Sequence, residues 1–351
     1  MNEGSGLSPA HMWSPNLRPL YLLIIAATTL IFGGCGQYSV HKAIRQSIPS
    51  AEQDTSVLAV YQPWFGSPEH INVGYSSSDV TVLQNQIRKA KDFGIDGFVV
   101  DWYGNNRKDF DRNYALLQET AANADFKVAL MYDEPKGDPE DSTQQAIVAL
   151  DYAYDKYIGP KASNGHAYVL YNGHPIIFIW PNSARTDWNI VRQHVEQWEL
   201  PPLLITRFDT AKDSQAFDGF YAWVDTGKEG WSPDGRNWGK EYLDRFYATM
   251  KRAYPNKIIV TGAWAGFDDS KAHWGTHRKI DSRCGKTFQD TLTEFHRNVS
   301  PEHPIPFLLI ETWNDYEEGT AIERGIAHCT SESALSADRV DSQRSTKKPS
   351  S

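Results

Sequence analysis

The sequence LLIETWNDYEEGT at residues 308–320 changes from apolar to acidic within one position. The apolar part, which begins at Phe307 and is preceded by Pro304 and Pro306, predicts a buried β-strand. Four carboxylates, two aromatic residues and an amide follow before Gly319. An unpaired carboxylate is costly in a protein interior, so a core strand that runs into clustered acids is unusual. In parallel α/β barrels active sites lie at the carboxyl ends of the strands. The stretch therefore predicts a barrel strand that delivers acidic side chains to a cleft.

Asp315 and Glu318 are three positions apart, and a turn after the strand would direct both into one cleft. Two carboxyl groups in one cleft suit acid and base catalysis, above all on glycosidic bonds. A solvated loop that caps a helix is the alternative, because carboxylate pairs are common on protein surfaces. We predict Asp315 and Glu318 as the catalytic pair. Glu311 is expected to orient its neighbours, and Glu317 to face solvent.

The rest of the chain alternates between strand and helix patterns. Apolar runs occur at 57–61, 97–103, 126–132, 175–180, 203–207, 219–224, 257–264 and 306–311. Helical periodicity occurs at 80–93, 111–124, 144–157, 187–198, 240–254 and 288–298, and the short link between the fifth and sixth runs predicts a reduced helix. Continuous apolar strands that alternate with helices indicate a parallel sheet buried on both faces. Eight such units predict an α/β fold, the (β/α)8 TIM barrel, as a single catalytic domain at 56–328.

Aromatic and polar residues recur at the carboxyl ends of nearly all the predicted strands. Flat apolar walls with a few oriented hydrogen-bonding groups are what a sugar-binding cleft needs. The predicted substrate-binding residues are Tyr61, Trp64, Asp101, Trp102, Asp133, Glu134, Arg207, Trp264, Trp313 and Asn314. Two alternatives stay open: a given tryptophan could pack in the barrel core, and one of the acids could pair with Arg207 inside the barrel.

The motif at 311–316, taken with Glu318, resembles the last-strand signature of glycoside hydrolase family 71, the α-1,3-glucanases or mutanases. The segment 318–323 is similar to the related family 99, the endo-α-mannosidases, as is the Tyr-Gln-Pro-Trp at 61–64. The resemblance covers most of the chain from about Val57 to Ile326. It implies a barrel glycosidase without a cofactor.

The resemblance also implies roles for the two carboxyl groups. Glu318 would protonate the leaving glycosidic oxygen, and Asp315 would be the base. Family 99 has glutamate where this chain has Asp315, whereas the aspartate matches family 71. The resemblance therefore favours hydrolysis of an α-linked polysaccharide similar to α-1,3-glucan. An endo-α-mannosidase-like hydrolase and a non-catalytic carbohydrate-binding barrel remain alternatives.

The amino-terminal segment has the pattern of an export signal. Arg18 precedes an apolar run at 20–32, which is followed by Gly-Gly and Cys35. We expect residues 1–35 to be a lipoprotein-type signal peptide with Cys35 lipidated, or alternatively an uncleaved anchor. Residues 36–55 are predicted to be a tether, and the polar residues 329–351 a disordered tail. This predicts an exported lipoprotein, anchored in a membrane at the periplasmic face or the cell surface.

Composition limits the partners that the chain is expected to have. The chain has 351 residues, a net charge of −9 and a pI near 5.7, which argues against nucleic-acid binding. We expect a polysaccharide or oligosaccharide substrate and a monomeric protein. The cysteines and histidines do not show metal-ligand spacing, so no metal is expected. Cys284 and Cys329 could pair in an oxidising compartment or remain free thiols.

Overall fold

The computed structural model describes Ile44 and residues 55–208, 214–227, 232 and 237–326. All of them belong to one compact unit, Gln37–Ser351. The predicted signal segment with Cys35, the predicted tether except its residues 44 and 55, and the predicted tail lie outside the described residues, so these assignments remain predictions. Cys284 is disulfide-bonded. Because Cys329 lies outside the described residues, its pairing with Cys284 also remains a prediction.

Eight parallel β-strands form a closed barrel. In chain order they are β1 Ser56–Tyr61, β2 Gly97–Trp102, β3 Lys127–Asp133, β4 His174–Trp180, β5 Leu203–Arg207, β6 Gly219–Tyr221, β7 Ile258–Trp264 and β8 Phe307–Glu311. Each strand pairs with its neighbours in the order β3-β2-β1-β8-β7-β6-β5-β4, and β4 pairs with β3 to close the ring. The predicted (β/α)8 fold is confirmed.

An α-helix follows each strand from β1 to β7 except β5. The helices are α1 Val80–Asp92, α2 Lys108–Ala122, α3 Ser142–Ala153, α4 Trp188–Val195, α5 Lys240–Ala253 and α6 Lys286–Asn298. The described residues between β5 and β6 contain no α-helix, in agreement with the short link seen in the sequence. None of the helices in the described part of the chain has the length and apolarity needed to cross a lipid bilayer.

Helix α1 illustrates how the sequence builds the outer layer. It begins after Asp79, whose carboxylate accepts a hydrogen bond from the backbone N–H of Thr81 and caps the helix. Leu83, Ile87 and Ala90 recur at helical spacing and are buried against the barrel. Because helices cover the outside of the strands and side chains fill the inside, the strands are apolar on both faces.

The strand register places the polar strand ends at one rim. Asp133 at the end of β3 is paired with Trp180 at the end of β4, and Glu311 on β8 is paired with Trp264 on β7. Residues paired across adjacent strands point to the same face of the sheet. The carboxyl-terminal rim therefore collects the aromatic and acidic residues that the sequence places at the strand ends.

Candidate active site

A cleft of about 550 Å³ opens at the carboxyl end of the barrel. Its walls come from the ends of several strands and from the loops that follow them. Of the predicted site residues, those that line the cleft are Trp64, Asp101, Asp133, Glu134, Arg207, Asp315 and Glu318. The two carboxyl groups predicted to be catalytic therefore lie in the same cleft, together with further acids.

Asp315 is held in the turn that follows β8. Its Oδ1 accepts hydrogen bonds from the backbone N–H groups of Glu317, at 3.0 Å, and Glu318, at 2.8 Å. The side-chain amide of Gln62 lies 3.5 Å from Oδ2. Burial, followed by the charge of Glu318, raises the pKa of Asp315 well above its ordinary value. The backbone donors oppose this rise, and they hold the carboxyl group of Asp315 in a fixed position at the cleft.

Glu318 lies in a different environment, because it is partly buried and has one side-chain donor. The indole N–H of Trp274 donates to its Oε1 at 2.9 Å. Burial raises the pKa of Glu318, and the hydrogen bond from Trp274 opposes this rise. A carboxyl group with a raised pKa holds its proton closer to neutral pH, which is the requirement for a general acid.

The loop after β7, residues 266–283, presents Trp274 to Glu318. Asp269 is a fully buried residue of this loop, and its carboxylate accepts hydrogen bonds from the backbone N–H and the guanidinium of Arg278. The backbone N–H of Asp268 donates to the carbonyl oxygen of Glu318 at 2.7 Å. Hydrogen bonds therefore hold the loop both to itself and to the turn after β8.

Asp101 and Asp133 form a second carboxyl pair in the cleft. The hydroxyl of Tyr103 donates to Asp101 Oδ2 at 3.1 Å, and the side-chain amide of Asn182 donates to Asp133 Oδ1. Burial raises the pKa of Asp133 to about 7. Burial, followed by the charge of Asp133, raises the pKa of Asp101 well above its ordinary value. Such a pair can both donate and accept hydrogen bonds, which suits sugar hydroxyls.

Glu134 shapes the cleft wall through the loop after β4. Its carboxylate accepts hydrogen bonds from the hydroxyl of Thr186 and from the backbone N–H groups of Asn182, at 3.0 Å, and Ser183, at 3.2 Å. Both carboxylate oxygens are therefore engaged in holding this loop. Burial raises the pKa of Glu134.

Arg207, at the end of β5, lies beside two tryptophans of the cleft. Its guanidinium is 4.4 Å from the ring centroid of Trp180, a cation–π distance. Trp180 meets Trp223 edge to face at 4.8 Å, and both rings line the cleft. The positive charge of Arg207 also lowers the pKa values of Asp133 and Glu311 against the effect of burial. Arg207 therefore acts on acids inside the barrel as well as lining the cleft.

Four of the predicted substrate-binding residues are buried and do not line the cleft, so they have packing roles instead. Tyr61, Trp102, Trp264 and Trp313 are each at most 1% exposed. Tyr61 donates to Gln86 on α1, Trp102 to Asp111 on α2 and Trp264 to the carbonyl oxygen of Trp238, while Trp313 packs on Phe98. Neighbouring strand residues point to opposite faces, so Asp101 inside the barrel directs Trp102 outward.

Asn314 also has a structural role in place of the predicted substrate contact. Its side chain accepts a hydrogen bond from the backbone N–H of Gln62, at 2.7 Å, and donates to the carbonyl oxygen of Gln62, at 3.0 Å. The side chain is fully buried. It joins the turn after β8 to the residue that follows β1, next to Asp315 in sequence, and it does not line the cleft.

The remaining acids of the motif, Glu311 and Glu317, are both buried. Glu311 lies inside the barrel, where it accepts a hydrogen bond from the backbone N–H of Val224, and burial raises its pKa well above the ordinary value. It therefore orients the chain after β6. The prediction that Glu317 faces solvent is wrong, because its Oε2 lies 2.8 Å from His70 Nδ1.

Sequence reasoning missed several residues that line the cleft: His70, Tyr103, Trp180, Trp223 and Trp274. Strand register could have indicated Trp180, since it pairs with Asp133 and must share its inward direction. His70 and Trp274 lie on loops, where no periodicity indicates the direction of a side chain.

The cleft contains several carboxyl groups, an arrangement that can donate a proton to one atom of a ligand and accept one from another. Among the described residues, no group of three or more His, Cys, Asp or Glu side chains is arranged to hold a metal ion.

No protein-family profile matches the chain. Its fold is similar to two structures of the GH99 endo-α-mannosidase from Bacteroides thetaiotaomicron, one of them in complex with bis-tris propane. That complex has a TM-score of 0.60 at 18% identity and covers 84% of this chain and 100% of the other. The second has a TM-score of 0.57 at the same identity and coverage. A glycoside hydrolase-like protein gives 0.56 at 15% identity, over 84% of this chain and 95% of the other. At these identities the likeness establishes a shared barrel fold.

Proposed function

We propose that the protein is a glycoside hydrolase in which Glu318 is the general acid and Asp315 the general base. The observation that carries this proposal is the unequal environment of two carboxyl groups in one cleft. Asp315 receives two backbone N–H donors on one oxygen, which oppose the rise in its pKa that burial and the charge of Glu318 cause. Glu318 receives one indole donor and has its pKa raised by burial. The pKa values of both groups are raised and their charges repel, so one carboxyl group of the pair can hold a proton while the other is ionised, as acid and base roles require. The family 71 and 99 motifs assign the acid role to Glu318 and the base role to Asp315.

In the proposed reaction Glu318 donates its proton to the glycosidic oxygen as the bond to the anomeric carbon breaks. Asp315 takes a proton from a water molecule that attacks this carbon from the opposite face, which inverts its configuration. In the alternative, Asp315 takes the proton of the sugar 2-hydroxyl, whose oxygen attacks the anomeric carbon and displaces the leaving group that Glu318 protonates. Water, deprotonated by Glu318, then opens the epoxide-like ring at the anomeric carbon while Asp315 returns its proton to the 2-oxygen, so the two inversions retain the configuration. Proton NMR of the first product distinguishes the two routes, since inversion of an α-linkage gives the β-anomer.

The proposed substrate is an α-linked polysaccharide, with α-1,3-glucan as the first candidate. The aspartate at position 315 favours the glucan, as in the family 71 motif. The rings of Trp180 and Trp223 supply apolar walls for sugar faces. Hydrolysis of α-mannan is the second candidate, because the chain shares its barrel fold with an endo-α-mannosidase.

Product release from a panel of α-glucans and α-mannans tests this proposal. We expect wild-type protein to release oligosaccharides from one of them and Glu318→Gln to release none. Glu119→Gln on the exposed side of α2 is the matched control and should behave as wild type. If the wild type binds a polysaccharide but releases no product, the protein is a carbohydrate-binding barrel and the proposed activity is wrong.

We also propose that the protein is exported and anchored by a lipid on Cys35. The support is the sequence, in which an apolar run at 20–32 leads into Gly-Gly-Cys. Radiolabelled fatty acid should be incorporated by wild-type cells and not by cells that carry Cys35→Ala. Equal labelling of the two proteins would contradict this proposal.

A further inference from the structure

We propose that Glu317, His70 and Trp274 together position the acid Glu318, an inference that rests on the proposed function. None of the three needs to exchange a proton with substrate. Their contacts instead form a connected path that begins at Glu317 and returns to its sequence neighbour Glu318. Each step of that path is a contact between described residues.

The first step joins the catalytic turn to the loop after β1. Glu317 Oε2 lies 2.8 Å from His70 Nδ1, and its Oε1 accepts a hydrogen bond from the backbone N–H of Ile71 at 3.0 Å. The side chains of Glu317 and His70 are only 2% and 8% exposed. A buried carboxylate requires such partners. Glu317 therefore fixes both the ring of His70 and the backbone of this loop.

The second step is an aromatic cluster. The ring of His70 stacks on Trp64 with centroids 4.5 Å apart and planes within 1°. Trp274 meets Trp64 edge to face at 6.0 Å and His70 at 6.2 Å, in each case at 72°. Edge-to-face contacts with two rings restrict the orientation of the Trp274 indole. One face of Trp64 is covered by His70, so Trp64 supports Trp274 more than it offers a free stacking face to a sugar.

The third step returns to the acid. The indole N–H of Trp274 donates to Glu318 Oε1 at 2.9 Å. The ring contacts with Trp64 and His70 set the direction of this N–H. Glu317 fixes the ring of His70 and therefore stabilises the whole cluster. Two consecutive glutamates thus have opposite tasks. Glu317 points away from the cleft and holds the cluster, while Glu318 points into the cleft and is oriented by it. A general acid that is displaced by a fraction of an ångström loses much of its effect.

The test uses leaving groups of different acidity. A 2,4-dinitrophenyl glycoside leaves as a stable phenolate and needs little protonation, whereas an unactivated oligosaccharide needs the acid. The sugar in both probes is the one that the wild type releases. We expect Glu317→Gln and Trp274→Phe to lower kcat/KM on the oligosaccharide about ten- to a hundredfold, and on the aryl glycoside at most about twofold.

His194→Asn is the matched control, since it removes another His–carboxylate contact of 2.8 Å, to Asp151, outside the cleft. It should change neither rate. Trp274→Phe removes an N–H from a partly exposed side chain and keeps an aromatic ring, so this variant should fold. It therefore tests the inference even if Glu317→Gln does not fold. Equal losses on both substrates, or no loss on either, would overturn the inference while the proposed activity stands. If the wild type hydrolyses neither substrate, the proposed activity is wrong and this inference fails with it.

Discussion

At the scale of single residues, Glu318 shows two opposing effects on one carboxyl group. Burial raises its pKa by penalising the charged form, and the indole N–H of Trp274 lowers it by stabilising that form. The balance decides the pH up to which an acid keeps its proton. Trp274 therefore influences both the direction and the protonation of Glu318.

A change at Trp274 should alter the pH dependence of catalysis. Trp274→Phe removes the donor, so the pKa of Glu318 rises and the group stays protonated to higher pH. We expect the basic limb of the kcat/KM profile, which reports the acid in the free enzyme, to move to higher pH. Measuring kcat/KM from about pH 4 to pH 9 for both proteins checks this. A basic limb that stays in place or moves to lower pH would show that the hydrogen bond does not act on the acid.

Asp133 should make stability depend on pH. Burial in the folded protein raises the pKa of Asp133 from 3.8 to about 7. The folded protein therefore binds this proton more tightly than the unfolded chain does. The resulting contribution to the free energy of unfolding is complete below about pH 4 and is lost as pH rises through 7. Asp133→Asn cannot ionise and should raise the Tm at about pH 8 by roughly 2–4 °C, with less effect at about pH 4. Thermal unfolding at both pH values is the measurement. Asp155→Asn, at an exposed acid, is the control, and an equal change at both pH values would contradict the assignment.

At the scale of elements, the turn after α3 supports α2 and β2 through one carboxylate. This turn, Tyr154–Ile158, is a π-helix. Asp111 on α2 accepts hydrogen bonds from Tyr152, Lys156 and Tyr157, and from the indole of Trp102 on β2. Burial alone would raise the pKa of Asp111, but the hydrogen bonds from Lys156 and Tyr157 lower it below its ordinary value. Lys156 and Tyr157 both belong to this π-helical turn, and both reach the same carboxylate.

Asp111→Asn should therefore destabilise the protein at neutral pH by about 1–2 kcal/mol, because the buried side chain loses the charge-assisted hydrogen bonds from Lys156 and Tyr157, and Lys156 is exposed enough for water to solvate its charge. With a lowered folded-state pKa, the stabilisation from Asp111 is present above the unfolded pKa of about 3.9 and lost as pH falls through the folded value. Urea unfolding at about pH 7 and pH 3 measures both effects. If Asp111→Asn lowers the free energy of unfolding equally at both pH values, the charge of Asp111 does not contribute to stability.

Strand parity explains which site residues could be predicted from the sequence. The sequence predicts that both Asp101 and Trp102, at the end of one strand, face the cleft. Asp101 does line the cleft, whereas its neighbour Trp102 points to the outer helices. A run of apolar residues buried on both faces carries no alternation, so it does not indicate which face is inside. Only the register, as between Asp133 and Trp180, resolves this.

At the scale of the whole molecule, the barrel itself could be predicted because its signals are local. Runs of apolar residues alternate with amphipathic segments, and each pattern is complete within one element. The positioning contacts could not be predicted, because their partners are far apart in sequence. His70 and Glu317 are 247 positions apart, and Gln62 and Asn314 are 252 apart. Closing the ring between β1 and β8 is what brings these loops together.

The most direct test of the central claim compares turnover and binding in Asp315→Asn and Glu318→Gln. Each change removes one reacting carboxyl group and keeps the size of the side chain. We predict that each lowers kcat on the unactivated substrate by about 10²- to 10⁴-fold, while calorimetry shows that sugar binding is retained. If both variants hydrolyse the substrate at the wild-type rate, the catalytic groups lie elsewhere and the assignment of this cleft is wrong.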